Sequence, residues 1–169
     1  DIFGFKVRLF GDLLYDQLPQ VSLGVQHKQQ QNFLIPELVG ARRDQDTEAY
    51  VQASRLLLGG AFGYNLLLNG GVRYSRANQL GLLGFGGDAN DQHEVLAEVS
   101  LAVLFNPRWV LGVEYRQKPD NLGFAQENDW SDVFVGYFPN KHLALVLAWA
   151  QLGDIAGQSN QNGPYLSVQ

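Results

Sequence analysis

Apolar and polar residues alternate with a period of two along most of the chain, the mark of strands with two unlike faces. The pattern is cleanest over 95–105. There Val95, Ala97, Val99, Leu101, Val103 and Phe105 point one way, while Glu94, Glu98 and Ser100 point the other. It repeats from Trp109, where Leu111, Val113 and Tyr115 share its phase and oppose Gly112, Glu114 and Arg116. Asn106-Pro107-Arg108 between the two runs predicts a tight turn, and hence a hairpin. Phe3, Phe5, Val7 and Leu9 oppose Lys6 and Arg8; Val21, Leu23 and Val25 oppose Gln20, Ser22, Gln26 and Lys28. Leu66, Leu68, Val72 and Tyr74 oppose Asn69, Arg73 and Ser75, and Val133, Val135 and Tyr137 oppose Asp132. Residues 143–149 are apolar on both faces. The segment 48–58 is irregular; placing Arg55 inward forces Gln52 and Ser54 outward. A last strand starts near Tyr165. About nine strands are expected by this alternation rule.

The predicted connectors alternate in length. Short ones fall at 11–19, 59–65, 106–108 and 139–141, and long ones at 29–47, 76–92, 118–129 and 152–163. Short turns at one end and long loops at the other fit an antiparallel up-and-down meander, as in outer-membrane barrels. The longest charge-free stretch, 56–72, approaches the length of a membrane-spanning helix but holds five glycines and two asparagines. It reads instead as two strands about a glycine turn. The expected fold is therefore all-β, a single domain over 1–169 forming most of a transmembrane β-barrel.

Composition narrows the picture without changing it. A net charge of −5 leaves no basic footprint for nucleic acid. The absence of cysteine removes disulfides and thiolate metal sites. The absence of methionine predicts a processed or partial product in which any signal peptide has gone.

Periodicity alone does not say which face meets lipid. The apolar face carries no charge in the clearer strands, and Tyr74, Trp109, Tyr115, Tyr137 and Trp149 fall near strand ends, as in an aromatic girdle at a lipid–water interface. With lipid outside, the lumen carries Lys6, Arg8, Arg55, Arg73 and Arg116 against Glu94, Glu98, Glu114 and Asp132. Nearly balanced charge fits a narrow, weakly selective path or a salt-bridged plug, and both stay open.

Catalytic groups are sparse. His27 and His93 fall in the outward phase at the rim, and His142 follows a turn, so none stands beside an inward nucleophile. His93 with Asp88 and Asp91 is the one candidate rim site. Residues 88–91 lack the carboxylate spacing of a calcium loop. Gly81, Gly84 and Gly86 lie outside any strand-to-helix context, so they fit a loop folded over the barrel mouth better than a phosphate cradle. No cofactor, metal or catalysis is expected.

The runs Asp1-Ile-Phe-Gly-Phe-Lys-Val-Arg8, Leu80-Gly-Leu-Leu-Gly-Phe-Gly-Gly-Asp88, Glu114-Tyr-Arg-Gln-Lys-Pro-Asp-Asn121, Asp132-Val-Phe-Val135 and Phe138-Pro-Asn-Lys-His142 carry a resemblance. They resemble an uncharacterised proteobacterial family catalogued only as a domain of unknown function, with members that look like secreted outer-membrane barrels. The resemblance implies the C-terminal part of a longer barrel, with further strands before Asp1 and a short extension past Gln169. It implies no substrate, cofactor or catalytic residue. The expected function is porin-like passage or a structural role in the outer membrane of a Gram-negative bacterium, with the lipid bilayer as partner. The alternatives are a soluble lipocalin-like barrel holding a hydrophobic ligand, or an outer-membrane barrel docking a partner through long loops such as 29–47. Because bacterial barrels have even strand numbers, an odd number of strands is expected before Asp1.

Overall fold

A computed structural model describes residues 1–124, 127–155 and 157–169. Among them the backbone forms nine strands: β1 (Ile2–Phe10), β2 (Gln20–Gln29), β3 (Gln45–Ala61), β4 (Tyr64–Ser75), β5 (Glu94–Asn106), β6 (Trp109–Arg116), β7 (Trp130–Asn140), β8 (Leu143–Ile155) and β9 (Gln158–Val168). A five-residue helix, α1 (Leu34–Leu38), and a 3₁₀ turn at Asn78–Gly81 sit in loops. Each strand pairs antiparallel with its neighbour in sequence, giving one sheet in the order β1 through β9. The expected all-β meander is therefore the fold. The sheet is not closed: β1 and β9 are its two edges. No helix among the described residues is long and apolar enough to cross a membrane.

The register defines two faces. One row joins Phe5, Val25, Ala49, Tyr74 and Val95; another joins Val7, Leu23, Val51, Val72 and Ala97. A third runs Leu57, Leu66, Val103, Leu111, Val135, Leu147 and Leu166. These apolar rows are exposed or half-buried. The opposite rows hold Gln52, Glu98 and Arg116, then Ser54, Asn69, Ser100, Glu114 and Asp132. The buried strand residues Ser22, Lys28, Glu48, Tyr50, Ser75, Leu96, Ala102 and Ala148 all lie on this second face, so the sheet curls toward it. Close packing there depends on Gly24. A Cβ at that position would stand 2.2 Å from the ring of Tyr50, which lies across it from the neighbouring strand.

Three expectations need correction. Arg55 does not face inward. It pairs with Leu68 in the row that continues through Leu101, Val113, Val133 and Trp149. Tyr50 covering Gly24 fixes the phase of β3, which turns Gln52 and Ser54 inward and Arg55 outward. The long apolar stem of Arg55 suits that face, while its guanidinium reaches back to donate to the Gln17 carbonyl in the β1–β2 connector. The irregular segment 48–58 is part of the longest strand, 17 residues, and the β3–β4 turn shrinks to Phe62-Gly63. Both turn residues have positive φ, 51° and 88°, as a two-residue hairpin turn matching the strand twist requires.

The third correction concerns 152–163. Residues 152–155 and 158–163 are the distal ends of β8 and β9 and not a loop; their largely polar sequence leaves no apolar alternation to read. Residues 125, 126 and 156, within the predicted connectors 118–129 and 152–163, lie outside the described residues. The connectors 30–44, 76–93 and 117–129 are the long ones, and alternation along the meander gathers them at one end.

Candidate functional site

The inner face carries a ladder of charges running across five strands, β2 to β6. Lys28 of β2 contacts the Glu48 carboxylate of β3 at 2.6 Å, and Arg73 of β4 contacts the same Glu48 oxygen at 2.6 Å. Ser75 donates to the other oxygen of Glu48 at 2.7 Å. Arg73 then forks onto Glu98 of β5, with Nε 2.7 Å from Oε1 and Nη2 3.4 Å from Oε2. Arg116 of β6 closes on Glu98 at 2.7 Å. The Arg73 guanidinium also stands 4.7 Å from the centroid of the Tyr50 ring, and Lys6 approaches that ring at 6.0 Å while donating to Gln52. Alternating signs at hydrogen-bond distance let each buried charge meet its opposite. That arrangement is what makes burial of so many ions tolerable.

Of the expected lumen cluster, the structure gathers Arg73, Glu98 and Arg116 in this ladder and places Lys6 beside it. Glu114 accepts from Ser100 at 3.1 Å and pairs across the ladder with Asp132. These two carboxylates line a cavity of about 370 Å³ together with Gln52, Asn69 and Trp130. Glu94 accepts from Asn90 at the loop end, and Arg8 makes an exposed 3.8 Å contact with Asp12 at the opposite end. Arg55 stands outside. Two members of the ladder, Lys28 and Glu48, were missing from the expected set. The signal for Glu48 is the polar run Asp46, Glu48, Tyr50, Gln52, Ser54, which is hidden once Arg55 is placed inward. Lys28 reads as polar from periodicity, but nothing local ties it to Glu48.

All five girdle aromatics lie on the outer face. Trp109 and Tyr137 pair with ring centroids 4.5 Å apart at the short-turn end. Tyr74 stacks on His93 at 4.8 Å near the long loops. Tyr115 and Trp149 lie in the outward rows with Val99 and Val133.

The long loops fold over the end of the inner face through polar contacts. Asn121, fully buried, donates to the Asn78 side chain at 2.8 Å and to the Arg76 carbonyl at 3.2 Å. Its own carbonyl accepts from Ala89 and Asn90. Lys118 is buried against the Trp130 ring at 5.3 Å and donates to the Leu152 carbonyl at 3.1 Å. Burial lowers the pKa of Lys118 from its ordinary value, against the pull of Glu127, Asp129 and Asp154. Phe85, 1% exposed, packs under the glycine-rich turn. The runs 80–88 and 114–121, singled out for resemblance, thus meet in one cap. Asn121→Ala is expected to leave the buried Asn78 side-chain oxygen without its donor, while the Arg76 carbonyl keeps the Gly86 amide, and to cost about 1–3 kcal/mol. Faster hydrogen exchange across 76–92, with the strands unchanged, is the measurement.

The candidate rim site is not assembled. His93 lies 2.7 Å from Asp46, whereas Asp91 is held by Arg43 at 2.9 Å and Asp88 accepts from the Gly123 amide. Closing the loops with separate partners keeps these three side chains apart. His27 contacts Thr47 on the outer row. Among the described residues no group of three or more His, Cys, Asp or Glu side chains is arranged to hold a metal ion.

No curated protein and no solved structure matches the chain. Over residues 1–169 it matches the model of the family described as "Protein of unknown function (DUF3034)", and the chain belongs to that family.

Proposed function

We propose that the chain is the wall of a non-catalytic outer-membrane β-barrel, with a lumen narrowed by the charge ladder and covered at one end by the loop cap. One observation carries this reading: the outward rows are apolar and exposed or half-buried across the sheet, with Phe5 at 64%, Val95 at 68% and Leu166 at 65% exposed. Arg55 is the one charge in the rows traced above. A continuous apolar surface of this extent is unfavourable in water and expected against lipid. The two aromatic ends and the strand lengths of 8 to 17 residues support the same reading. A soluble lipocalin-like barrel needs the reverse, an apolar interior and a polar exterior. Passage would be porin-like but restricted to small solutes by the ladder. Docking through the 30–44 loop is a second reading, favoured by α1, where Leu34, Ile35 and Leu38 are 67%, 59% and 78% exposed.

Membrane behaviour tests the proposal. The full-length protein is expected in the outer-membrane fraction, resistant to alkaline extraction and dispersed only by detergent. A monodisperse protein in buffer without detergent would overturn it.

A further inference from the structure

Beneath the loop cap lies a carboxyl group that the ladder does not use. Glu127 is 8% exposed, and its Oε2 accepts from the backbone amide of Gln79 at 3.4 Å. Its Oε1 is buried and has no hydrogen-bond partner among the described residues. Glu127 makes no ion pair among the described residues, because Lys118, the nearby cation, is turned toward Leu152 and the Gln79 side chain. Asp120 accepts from the Glu127 amide and adds a second negative charge on the same loop; Asp129 and Asp154 face Lys118. The receiving residues are strained. Gln79 and Leu80 are consecutive non-glycine residues with φ of 47° and 63°. Such strain persists only where surrounding contacts hold it, and it gathers at switching segments.

We propose that the Glu127 carboxyl, buried against the Gln79 turn, is a proton-operated latch: neutral, it stays beneath the 76–93 loop; once it is ionised, the cost of burying its charge outweighs the stronger hydrogen bond to Gln79 and opens the loop from the lumen. The proposal rests on the barrel reading above. In the latched state a neutral carboxyl is buried against the Gln79 turn. Loss of its proton strengthens the Gln79 hydrogen bond but buries a negative charge on the same loop as Asp120, with Oε1 unpaired and no cation in contact among the described residues. Burial accordingly pushes the Glu127 pKa up from 4.5 to about 7, more than Lys118 offsets. Between these values the folded protein holds a proton that the unfolded chain has lost. The contribution of Glu127 to stability therefore falls as pH rises from about 4.5 to about 7. The strained 78–81 turn is the element that then relaxes.

Hydrogen exchange of the full-length protein in lipid bilayers, read over 76–92 and corrected for intrinsic exchange, tests the latch. Protection is expected at pH 5 and lost by pH 9. Over this range a carboxyl titrating near 7 goes from about 99% to about 1% protonated. Glu127→Gln, a neutral isostere, should hold protection at both values. Asp120→Asn should move the midpoint to lower pH, since it removes the neighbouring negative charge. Equal protection of the unsubstituted protein at both values, or an unchanged pH response in Glu127→Gln, would overturn the latch. Conductance across planar bilayers separates the two proposals. Opening seen by exchange without a rise in conductance leaves the latch standing and removes the passage reading.

Discussion

Val99→Arg is expected to destabilise the folded protein by about 2–4 kcal/mol in lipid, the range for a cation near the midplane on the lipid face of a barrel strand. Val99 sits mid-strand in β5, 46% exposed, between Gly70 and Tyr115 in an outward row. An arginine there would point its charge into hydrocarbon, with no acidic residue in that row to receive it. Ser100→Arg, one residue on, is the control. Its side chain turns to the inner face beside Asn69 and Glu114, where Asp132 is also near. A cation there meets carboxylates and a polar cavity, so the expected cost is below about 1 kcal/mol. Reversible unfolding in phospholipid vesicles measures both. The difference between neighbours is the informative quantity, since the strand, its pairing and the introduced side chain are shared. Equal costs would mean that the two faces see the same solvent, and the barrel reading would fall.

The same alternation that makes this comparison possible is why most of the sheet was legible in the sequence. Wherever one face is apolar and the other polar, as in 95–105 and 109–116, period two fixes the strand and the face together. It loses force in two situations. In β3 small residues such as Ala49 and Ala53 weaken the apolar signal, and one arginine then suffices to reverse the apparent phase. Only pairing across strands, with Tyr50 over Gly24, restores it. In the β8–β9 hairpin the strand ends rise beyond the apolar band, so both faces are polar and the segment looks like a loop. The cap was legible as glycine-rich and folded over, but its contents were not. Asn121 and Asn78 are 43 positions apart and Lys118 reaches Leu152 over 34, so their pairing depends on tertiary closure. The ladder shows the same limit: charge type is written locally, whereas the partner of each charge is set by register.

Glu48→Gln is the substitution expected to cost most within that ladder, about 3–5 kcal/mol, the penalty for removing one partner of a buried ionic group. Glu48 is 3% exposed and takes contacts at 2.6 Å from both Lys28 and Arg73. The amide keeps the shape and an acceptor for Ser75 but leaves two buried cations facing a neutral group. Arg73 retains Glu98, while Lys28 keeps only a 3.3 Å contact with the Leu80 carbonyl. The greater part of the cost should therefore trace to Lys28. Lys28→Gln in the Glu48→Gln background should then recover much of the loss, and a double-mutant cycle on unfolding in lipid gives the coupling directly. The same cycle decides between a plug and a path. In a sealed ladder the uncompensated cations have no water to turn to, so stability drops and bilayer conductance rises as the cluster loosens. In a hydrated path water screens them, Glu48→Gln costs less than about 1 kcal/mol, and the effect appears as a shift of selectivity toward anions. A stable variant with unaltered selectivity would mean that Glu48, Arg73 and Glu98 do not border a shared lumen at all.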